Sequence, residues 1–114
     1  MYTICYVSSA RSGLEKERLE TLFSKTEHNN TSKDITGILL YESDKFLQVL
    51  EGEKETLLNL YDKIEKDDRH QNIFVILNGR SKQRIFEDYA SRFSIVKTKE
   101  DLQKIEAYLN QIED

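Results

Sequence analysis

Apolar and polar positions follow two periods along this chain, and the changes between periods mark eight elements. Alternating or continuous apolar runs are typical of strands, whereas apolar residues three and four positions apart are typical of amphipathic helices. The predicted strands cover residues 2–8, 35–42, 45–51, 72–78 and 84–96. The predicted helices cover about residues 13–27, 52–67 and 98–112.

The helix boundaries depend on capping residues, because the chain contains no proline. Ser12 and Glu15 have the spacing of a capping box, in which each side chain binds the backbone N–H of the other residue. Thr98 has the residue type of an N-cap for the third helix. Each helix has an apolar stripe, namely Leu14, Leu19, Leu22 and Phe23; Leu57, Tyr61 and Ile64; and Leu102, Ile105, Leu109 and Ile112.

The strands carry apolar residues on both faces, so both faces of the sheet need a cover. Ser43 and Asp44 separate the second and third strands and predict a hairpin. The stretch NIFVILN, residues 72–78, is a continuous apolar run, which is typical of a strand buried on both faces.

The order of elements, βαββαββα, begins with the six elements of the ferredoxin-like split βαβ arrangement. We therefore predict an α+β fold in which two helices cover one face of a βαββαββ sheet. The C-terminal helix covers the other face. In this arrangement the first and third strands are central neighbours.

The composition fits one domain of 114 residues, with 38% apolar and 33% charged residues. A formal charge of −4 argues against a nucleic-acid-binding surface, which would be basic. No apolar run is long enough to span a membrane, and the N-terminus lacks the basic leader of a secretory signal. The single cysteine, Cys5, excludes an internal disulfide and argues against a thiol–histidine metal site. We expect a cytoplasmic protein without a metal.

Gln48 lies within the apolar stretch FLQVLEGE, residues 46–53, and needs hydrogen-bond partners there. Leaving a buried amide unpaired costs about 1–3 kcal/mol. Tyr6 lies on the neighbouring central strand, and alternation directs both side chains towards the first two helices. Two interpretations are open at this point: a hydrogen bond that satisfies both groups inside the core, or a polar pair that faces a ligand.

Two further polar groups also admit a structural and a functional interpretation. Asn29 and Asn30 follow the first predicted helix, and asparagine commonly ends helices. An asparagine side chain also offers a donor and an acceptor to a ligand. Asp67, Arg69 and His70 follow the second helix, where a cation suits the helix dipole. The same three residues would suit a polar or phosphorylated ligand tail.

These features together resemble the BLUF domain, a family of blue-light sensors that use flavin. The resemblance rests on Tyr6, Asn29–Asn30, the segment DITGILLYESDKFLQVLEGE and the motif DDRH. It covers about residues 2–95, and the last helix stands in the place of the family's C-terminal cap. The fold that the resemblance implies agrees with the fold predicted from periodicity.

The resemblance implies FAD, or FMN or riboflavin, with its ring between the first two helices. Tyr6 matches the tyrosine that donates an electron and a proton to the excited flavin. Gln48 matches the glutamine between that tyrosine and the ring, and Asn30 the asparagine at the ring's polar edge. The remaining cofactor contacts implied by the resemblance are Asn29, Thr26, Ile64, Asp67, Arg69 and His70.

The function implied by the resemblance is that of a photoreceptor, not an enzyme. The resemblance implies that Tyr6 transfers an electron and a proton to the flavin only transiently. Gln48 then rotates or tautomerises and forms a new hydrogen bond to the flavin. This bond shifts the flavin absorption slightly to the red, and the shift reverts thermally. An amide suits this switch because its two ends have opposite hydrogen-bonding character and nearly the same shape.

The resemblance divides the chain into a photosensor domain, residues 1–96, and a capping or output helix, residues 97–114. A chain this short is similar to stand-alone members of the family, which pass the signal to another protein. Self-association through sheet edges or the last helix is a second expectation.

The last predicted strand departs from the family's pattern. Where many members carry a tryptophan and then a methionine, this chain has Tyr89 and Ser91, and Tyr89 is a candidate second electron donor. Two other functions therefore stay open: a flavin-free ferredoxin-like interaction module and a small ferredoxin-like acyl phosphatase. The phosphatase needs an anion-binding loop, and residues 8–13 offer only Arg11 and one glycine for it.

Overall fold

A computed structural model of the chain describes residues 1–11, 13, 15–89 and 92–113, with side chains up to residue 111. Within these ranges the elements follow the predicted order. The strands are β1 (Tyr2–Ala10), β2 (Thr36–Glu42), β3 (Lys45–Gly52), β4 (His70–Arg80) and β5 (Phe93–Val96). The helices are α1 (Lys16–Ser32), α2 (Lys54–Glu65) and α3 (Lys99–Glu113).

The strands form a single mixed sheet in the order β4-β1-β3-β2-β5. β1 and β3 are central antiparallel neighbours, as predicted, and β5 pairs parallel with β2. Tyr6 lies directly opposite Gln48 in the register of β1 and β3. Cross-strand partners share a face of the sheet, so these two side chains are neighbours.

The helices cover the two faces of the sheet as predicted. Phe23 of α1 and Leu57 of α2 pack on one face with Ile4 and Leu50, all buried. On the opposite face, Ile105 of α3 packs against buried side chains of β2, β5 and the preceding segment, namely Ile38, Val96 and Phe86. These two clusters confirm the predicted ferredoxin-like α+β arrangement.

Gly37 allows β2 to approach β3 closely. Its φ of +142° lies in a region that side chains rarely adopt. A Cβ at this position would lie 1.9 Å from the carbonyl oxygen of Val49. Since that obstacle is backbone, only glycine fits, and the position fixes the pairing of the strand that carries Gln48.

α1 begins and ends later than the sequence predicts. Ser12 and Leu14 lie outside the described residues, and the helix begins at Lys16 after Glu15, which makes no side-chain cap hydrogen bond.

Because α1 ends later than predicted, Asn30 lies inside the helix. This residue does not follow the helix but belongs to its last turn. The helix ends only at Ser32, because Asp34 adopts a left-handed φ of +59°.

The prediction that the strand at 72–78 is buried on both faces is wrong. β4 is an edge strand, and Phe74 and Ile76 are 68% and 55% exposed. The packing of α3 explains this exposure, because the helix covers the β2 and β5 side of the sheet. Continuous apolar character therefore did not indicate burial at this edge.

The last predicted strand is also shorter than expected. Pairing is confined to Phe93–Val96, whereas residues 81–89 are irregular. Glu51 holds this segment, because its carboxylate oxygens accept the N–H groups of Ile85 and Phe86 at 2.5 and 3.0 Å. A buried carboxylate thus takes the donors that a strand ladder would have used.

Thr98 caps α3 as predicted. Its Oγ1 accepts the N–H of Asp101 at 3.0 Å, and the Asp101 carboxylate accepts the N–H of Thr98 at 3.2 Å. This reciprocal pair satisfies donors that have no partner inside the helix. Among the described ranges, no helix combines the length and the apolar character needed to cross a membrane.

Candidate functional site

A cavity of about 280 Å³ lies between α1, α2 and the face of the sheet that they cover. This volume is near the lower end of the range for small-molecule sites. Every site residue proposed from the sequence lines it: Tyr6, Thr26, Asn29, Asn30, Gln48, Ile64, Asp67, Arg69 and His70. The structure therefore brings the whole predicted set together.

The cavity wall also contains residues that the sequence analysis missed. Helical spacing could have identified two of them, because residues four positions apart share a face of a helix. Leu22 precedes the predicted residues Thr26 and Asn30 at this spacing on α1, and Leu60 precedes Ile64 on α2. Lining residues that were not predicted are Leu22, Lys25, Lys33, Leu39, Phe46, Leu60 and Lys63. The apolar members line the cavity from both helices and from the sheet.

Tyr6 and Gln48 form a buried hydrogen bond at the base of the cavity. The Gln48 Nε2 donates to the Tyr6 hydroxyl oxygen at 2.5 Å. Burial raises the pKa of Tyr6 well above its ordinary value, and the hydrogen bond from Gln48 opposes that rise. The phenol is therefore protonated at neutral pH and holds a proton that it can donate.

Two buried polar atoms in the cavity wall have no hydrogen-bond partner among the described residues. Gln48 Oε1, an acceptor, and Asn30 Nδ2, a donor, form no hydrogen bond with any described residue. Both side chains are almost fully buried, at 3% and 2% exposure. Because such atoms cost about 1–3 kcal/mol each when unpaired, the pair indicates a polar ligand that supplies both an acceptor and a donor.

Aromatic rings hold the Tyr6 side chain in place. The Tyr61 ring meets it edge-on with centroids 5.9 Å apart, and the His70 ring lies 6.1 Å away. His70 also makes an edge contact with Phe46 at 6.3 Å. These ring contacts favour one orientation of Tyr6 towards Gln48.

Hydrogen bonds at both ring nitrogens hold the His70 side chain in place. Nε2 lies 2.7 Å from the carbonyl oxygen of Ile64, which only accepts, so Nε2 carries the hydrogen. Nδ1 lies 2.8 Å from the Ser8 hydroxyl. Since both polar atoms are used, His70 shapes the cavity through its ring.

Asp67 and Arg69 form an ion pair in the turn after α2. Arg69 Nη2 lies 2.5 Å from Asp67 Oδ2, and Nε donates to Oδ1 at 2.9 Å. The hydrogen bonds from Arg69 lower the pKa of Asp67 below its usual range, and those to Asp67 raise the pKa of Arg69. The pair is charged at neutral pH and stabilises the turn that carries His70.

Tyr89, one of the two residues at which the sequence departs from the family pattern, lies away from this cavity. Tyr89 packs on the opposite face of the sheet against Phe86 and Tyr108. Ser91 lies outside the described residues. Over the part of the chain that the structure covers, no group of three or more metal-ligating side chains is placed to hold an ion.

Comparison with known proteins identifies one family. The family model described as BLUF, sensors of blue-light using FAD, matches residues 1–92. The blue light- and temperature-regulated antirepressor BluF of Escherichia coli K12 is 34% identical over 74% of this chain and 21% of its own length. The photoactivated adenylate cyclase subunit beta of Euglena longa is 32% identical over 74% of this chain and 10% of its own length.

A solved structure has the same fold as this chain. BlrP1 of Klebsiella pneumoniae, in a calcium/cy-diGMP complex, superposes with a TM-score of 0.79 at 28% identity. The match covers 94% of this chain and 28% of that one. The chain thus spans between 10% and 28% of the length of these three proteins.

Proposed function

The chain belongs to the BLUF family of blue-light sensors that use FAD, and on this premise we propose that Tyr6 and Gln48 form its light switch. The proposed site is the cavity between α1 and α2, where Tyr6 and Gln48 would contact the flavin ring. The observation that carries the proposal is the pair of buried, unpartnered atoms, Gln48 Oε1 and Asn30 Nδ2.

The residues fit the flavin ring by chemistry as well as by shape. The ring's polar edge carries carbonyl acceptors and an imide donor, which complement an amide N–H and an amide oxygen. Asn30 Nδ2 suits a ring carbonyl, and Asn29 and Thr26 add polar groups beside it. Ile64 supplies apolar surface for the ring face.

The switch follows from the two hydrogen-bonding states of Gln48. When bound, the flavin supplies blue-light absorption and an excited ring that readily takes up one electron. Tyr6 donates an electron and its hydroxyl proton, and it regains both before the cycle ends, so the net chemistry is zero. While Tyr6 lacks its proton, Gln48 rotates or tautomerises and directs a different group into the cavity.

The return of the proton to Tyr6 leaves Gln48 in its second arrangement. In that arrangement Gln48 would donate a hydrogen bond to a carbonyl of the bound flavin. Such a bond would stabilise the flavin's excited state more than its ground state and would shift the absorption to the red. Thermal reversal restores the first arrangement. Gln48 is thus the two-state element that light biases.

The signal then leaves the domain. We assign residues 1–96 to the photosensor and residues 97–114 to a helix that carries the output to a partner protein. The segment that contains Phe86 supports this assignment, because it contacts both β3 and α3: Ile85 and Phe86 bind Glu51, and the Tyr108 hydroxyl donates to the Ile85 carbonyl at 2.6 Å.

Absorption spectroscopy tests the light switch. We expect the purified protein to bind flavin, to shift slightly to the red under blue light, and to recover in the dark. Tyr6→Phe should bind flavin with similar affinity and lose the shift, because phenylalanine has no hydroxyl proton to donate. Tyr61→Phe is the matched control, since this ring touches Tyr6 without bonding Gln48, and it should keep the shift.

Two results would contradict the proposal. Protein that does not bind added flavin would exclude the cofactor site. A red shift that persists in Tyr6→Phe would exclude Tyr6 as the donor.

A further inference from the structure

The edge strand β4 exposes apolar side chains on both faces of the sheet. Val75 lies opposite Tyr6 of β1 and shares its face, whereas Phe74 lies opposite Val7 on the other face. All four side chains of the apolar run 74–77 are exposed. A layer stacked on one face of the sheet would cover only part of this run. A further strand alongside β4 would contact it on both faces, as the sequence pattern of a doubly buried strand requires.

The outer edge of β4 has few of the features by which edge strands resist pairing. β4 is the end strand of the sheet, and its one strand neighbour is β1. Edge strands commonly carry charged side chains or proline, which discourage a second strand. Residues 71–79 contain neither. Two register shifts interrupt the ladder with β1, so we expect a short pairing along this edge rather than a continuous one.

The opposite edge of the sheet is protected. β5 has four residues, and its terminal side chains, Phe93 and Val96, are buried. Both α1 and α3 contact this strand. The self-association through sheet edges that the sequence predicts is therefore directed to β4.

Opposite charges lie at equal distances from the middle of β4. Val75 is the midpoint of the strand, Asp68 lies two residues before its start and Lys82 two residues after its end. Antiparallel overlap of β4 with the same strand of a second copy would place Asp68 of each copy near Lys82 and Arg80 of the other. All three side chains are exposed, and none forms a salt bridge with another described residue.

We propose that the chain forms a two-fold symmetric dimer through antiparallel pairing of β4 with β4 of a second copy. The two sheets then join into one continuous sheet, with the apolar run at its centre and a pair of opposite charges at each end. Such a contact closes at two copies, because the same surface of each chain is used. The inference goes beyond the light switch and does not depend on flavin binding.

Sedimentation velocity of the full chain, over an about hundredfold range of concentration, tests the association. We expect a monomer–dimer equilibrium without larger species. Hydrogen exchange of the amides in residues 74–77 should slow as the dimer forms, because N–H groups that point outward gain carbonyl acceptors. In a dimer stacked face to face, these edge amides would stay open to solvent and would exchange at the same rate at every concentration.

Phe74→Lys should weaken the dimer by about tenfold or more, because it places a cation in the apolar centre of the contact. Ile85→Lys is the matched control, since it adds the same charge at another exposed apolar side chain, outside β4. It should leave the dimer affinity unchanged. Circular dichroism of both variants reports whether they keep the native fold.

Charge reversal tests the antiparallel arrangement. Asp68→Lys and Lys82→Asp should each weaken the dimer by about tenfold at low salt, at roughly threefold for each of the two symmetry-related exposed pairs. The double variant Asp68→Lys/Lys82→Asp should recover the affinity of the original chain, because it restores opposite charges at both ends. Salt should reduce all three differences.

Monomeric protein throughout the concentration range would overturn this inference, and so would association that continues beyond the dimer. Unchanged amide exchange in residues 74–77, equal weakening by Ile85→Lys, or a double charge variant as weak as the single variants would also contradict it. Each of these results would leave the proposed flavin site standing, because the cavity lies between α1 and α2.

Discussion

Gln48 and Glu51 are two buried polar side chains on the same strand, and they differ in how fully they are paired. Their separation of three residues directs them to opposite faces of the sheet. Both oxygens of Glu51 accept hydrogen bonds, including one from the Thr36 hydroxyl at 2.8 Å. Gln48 bonds through Nε2 alone, and its Oε1 has no partner among the described residues.

The difference matches the proposed division between a structural role for Glu51 and a switching role for Gln48. A saturated carboxylate has one low-energy arrangement, so Glu51 holds the irregular segment after β4 against the sheet. An amide with one free end has a second arrangement available at small cost. The face that α3 covers is therefore fixed by polar contacts, whereas the α1–α2 face keeps a polar group for a ligand.

The largest expected effect is that of Glu51→Leu. This change leaves the Ile85 and Phe86 N–H groups and the Thr36 hydroxyl without their acceptor, so we expect a loss of about 3–4 kcal/mol in the free energy of unfolding. Urea titration of the flavin-free protein measures it. Glu87→Gln, an exposed carboxylate on the same segment, should change stability by less than about 0.5 kcal/mol. An unchanged midpoint for Glu51→Leu would show that the carboxylate does not hold the segment.

Replacing Gln48 with leucine should reduce stability much less than replacing Glu51 does. Gln48→Leu removes the hydrogen bond to Tyr6 but also the unpaired Oε1, so the flavin-free protein should change by about 1 kcal/mol or less. The flavin-loaded Gln48→Leu protein should lose the light-induced shift, which the absorption spectrum reports. Destabilisation as large as that of Glu51→Leu would mean that Gln48 is a fully paired structural group.

The smallest expected effect concerns Asp67, a half-buried carboxylate in the turn after α2. Arg69 lowers its pKa in the folded protein, so the stabilisation is present above the unfolded pKa of about 3.9 and is lost as pH falls through the folded value. Asp67→Asn removes this dependence. Between pH 6 and pH 2, the wild-type protein should therefore lose more stability than Asp67→Asn does, by about 1 kcal/mol or less, as measured by urea unfolding at each pH. Equal losses would show that the ion pair contributes nothing to stability.

The base of the site could be predicted from the sequence because alternation and strand order are local rules. Tyr6 and Gln48 follow from the period of two and from the central position of the first and third strands. The unpaired state of the Gln48 oxygen could not be predicted, because it depends on every group that α1 and α2 bring near. The three lysines in the cavity wall, Lys25, Lys33 and Lys63, were missed because a lysine on a helix usually indicates a solvated face.

Two parts of the fold were predicted wrongly for physical reasons. The run at 72–78 is equally apolar whether a helix covers it or not, so pattern alone cannot separate a central strand from the edge strand β4. The strand predicted from residue 84 has strand-like side chains. Its backbone donors bind the Glu51 carboxylate instead, a contact between residues more than thirty positions apart.

Gly37 has a consequence for how relatives of this chain can be sorted. The glycine of the ITG motif is required because the Val49 carbonyl occupies the space of a Cβ, and that requirement concerns the backbone of β2 and β3. A descendant that had abandoned light sensing would still need it to build the sheet. The presence of the glycine therefore indicates common ancestry, whereas the presence of both Asn30 and Gln48 would indicate the proposed flavin site.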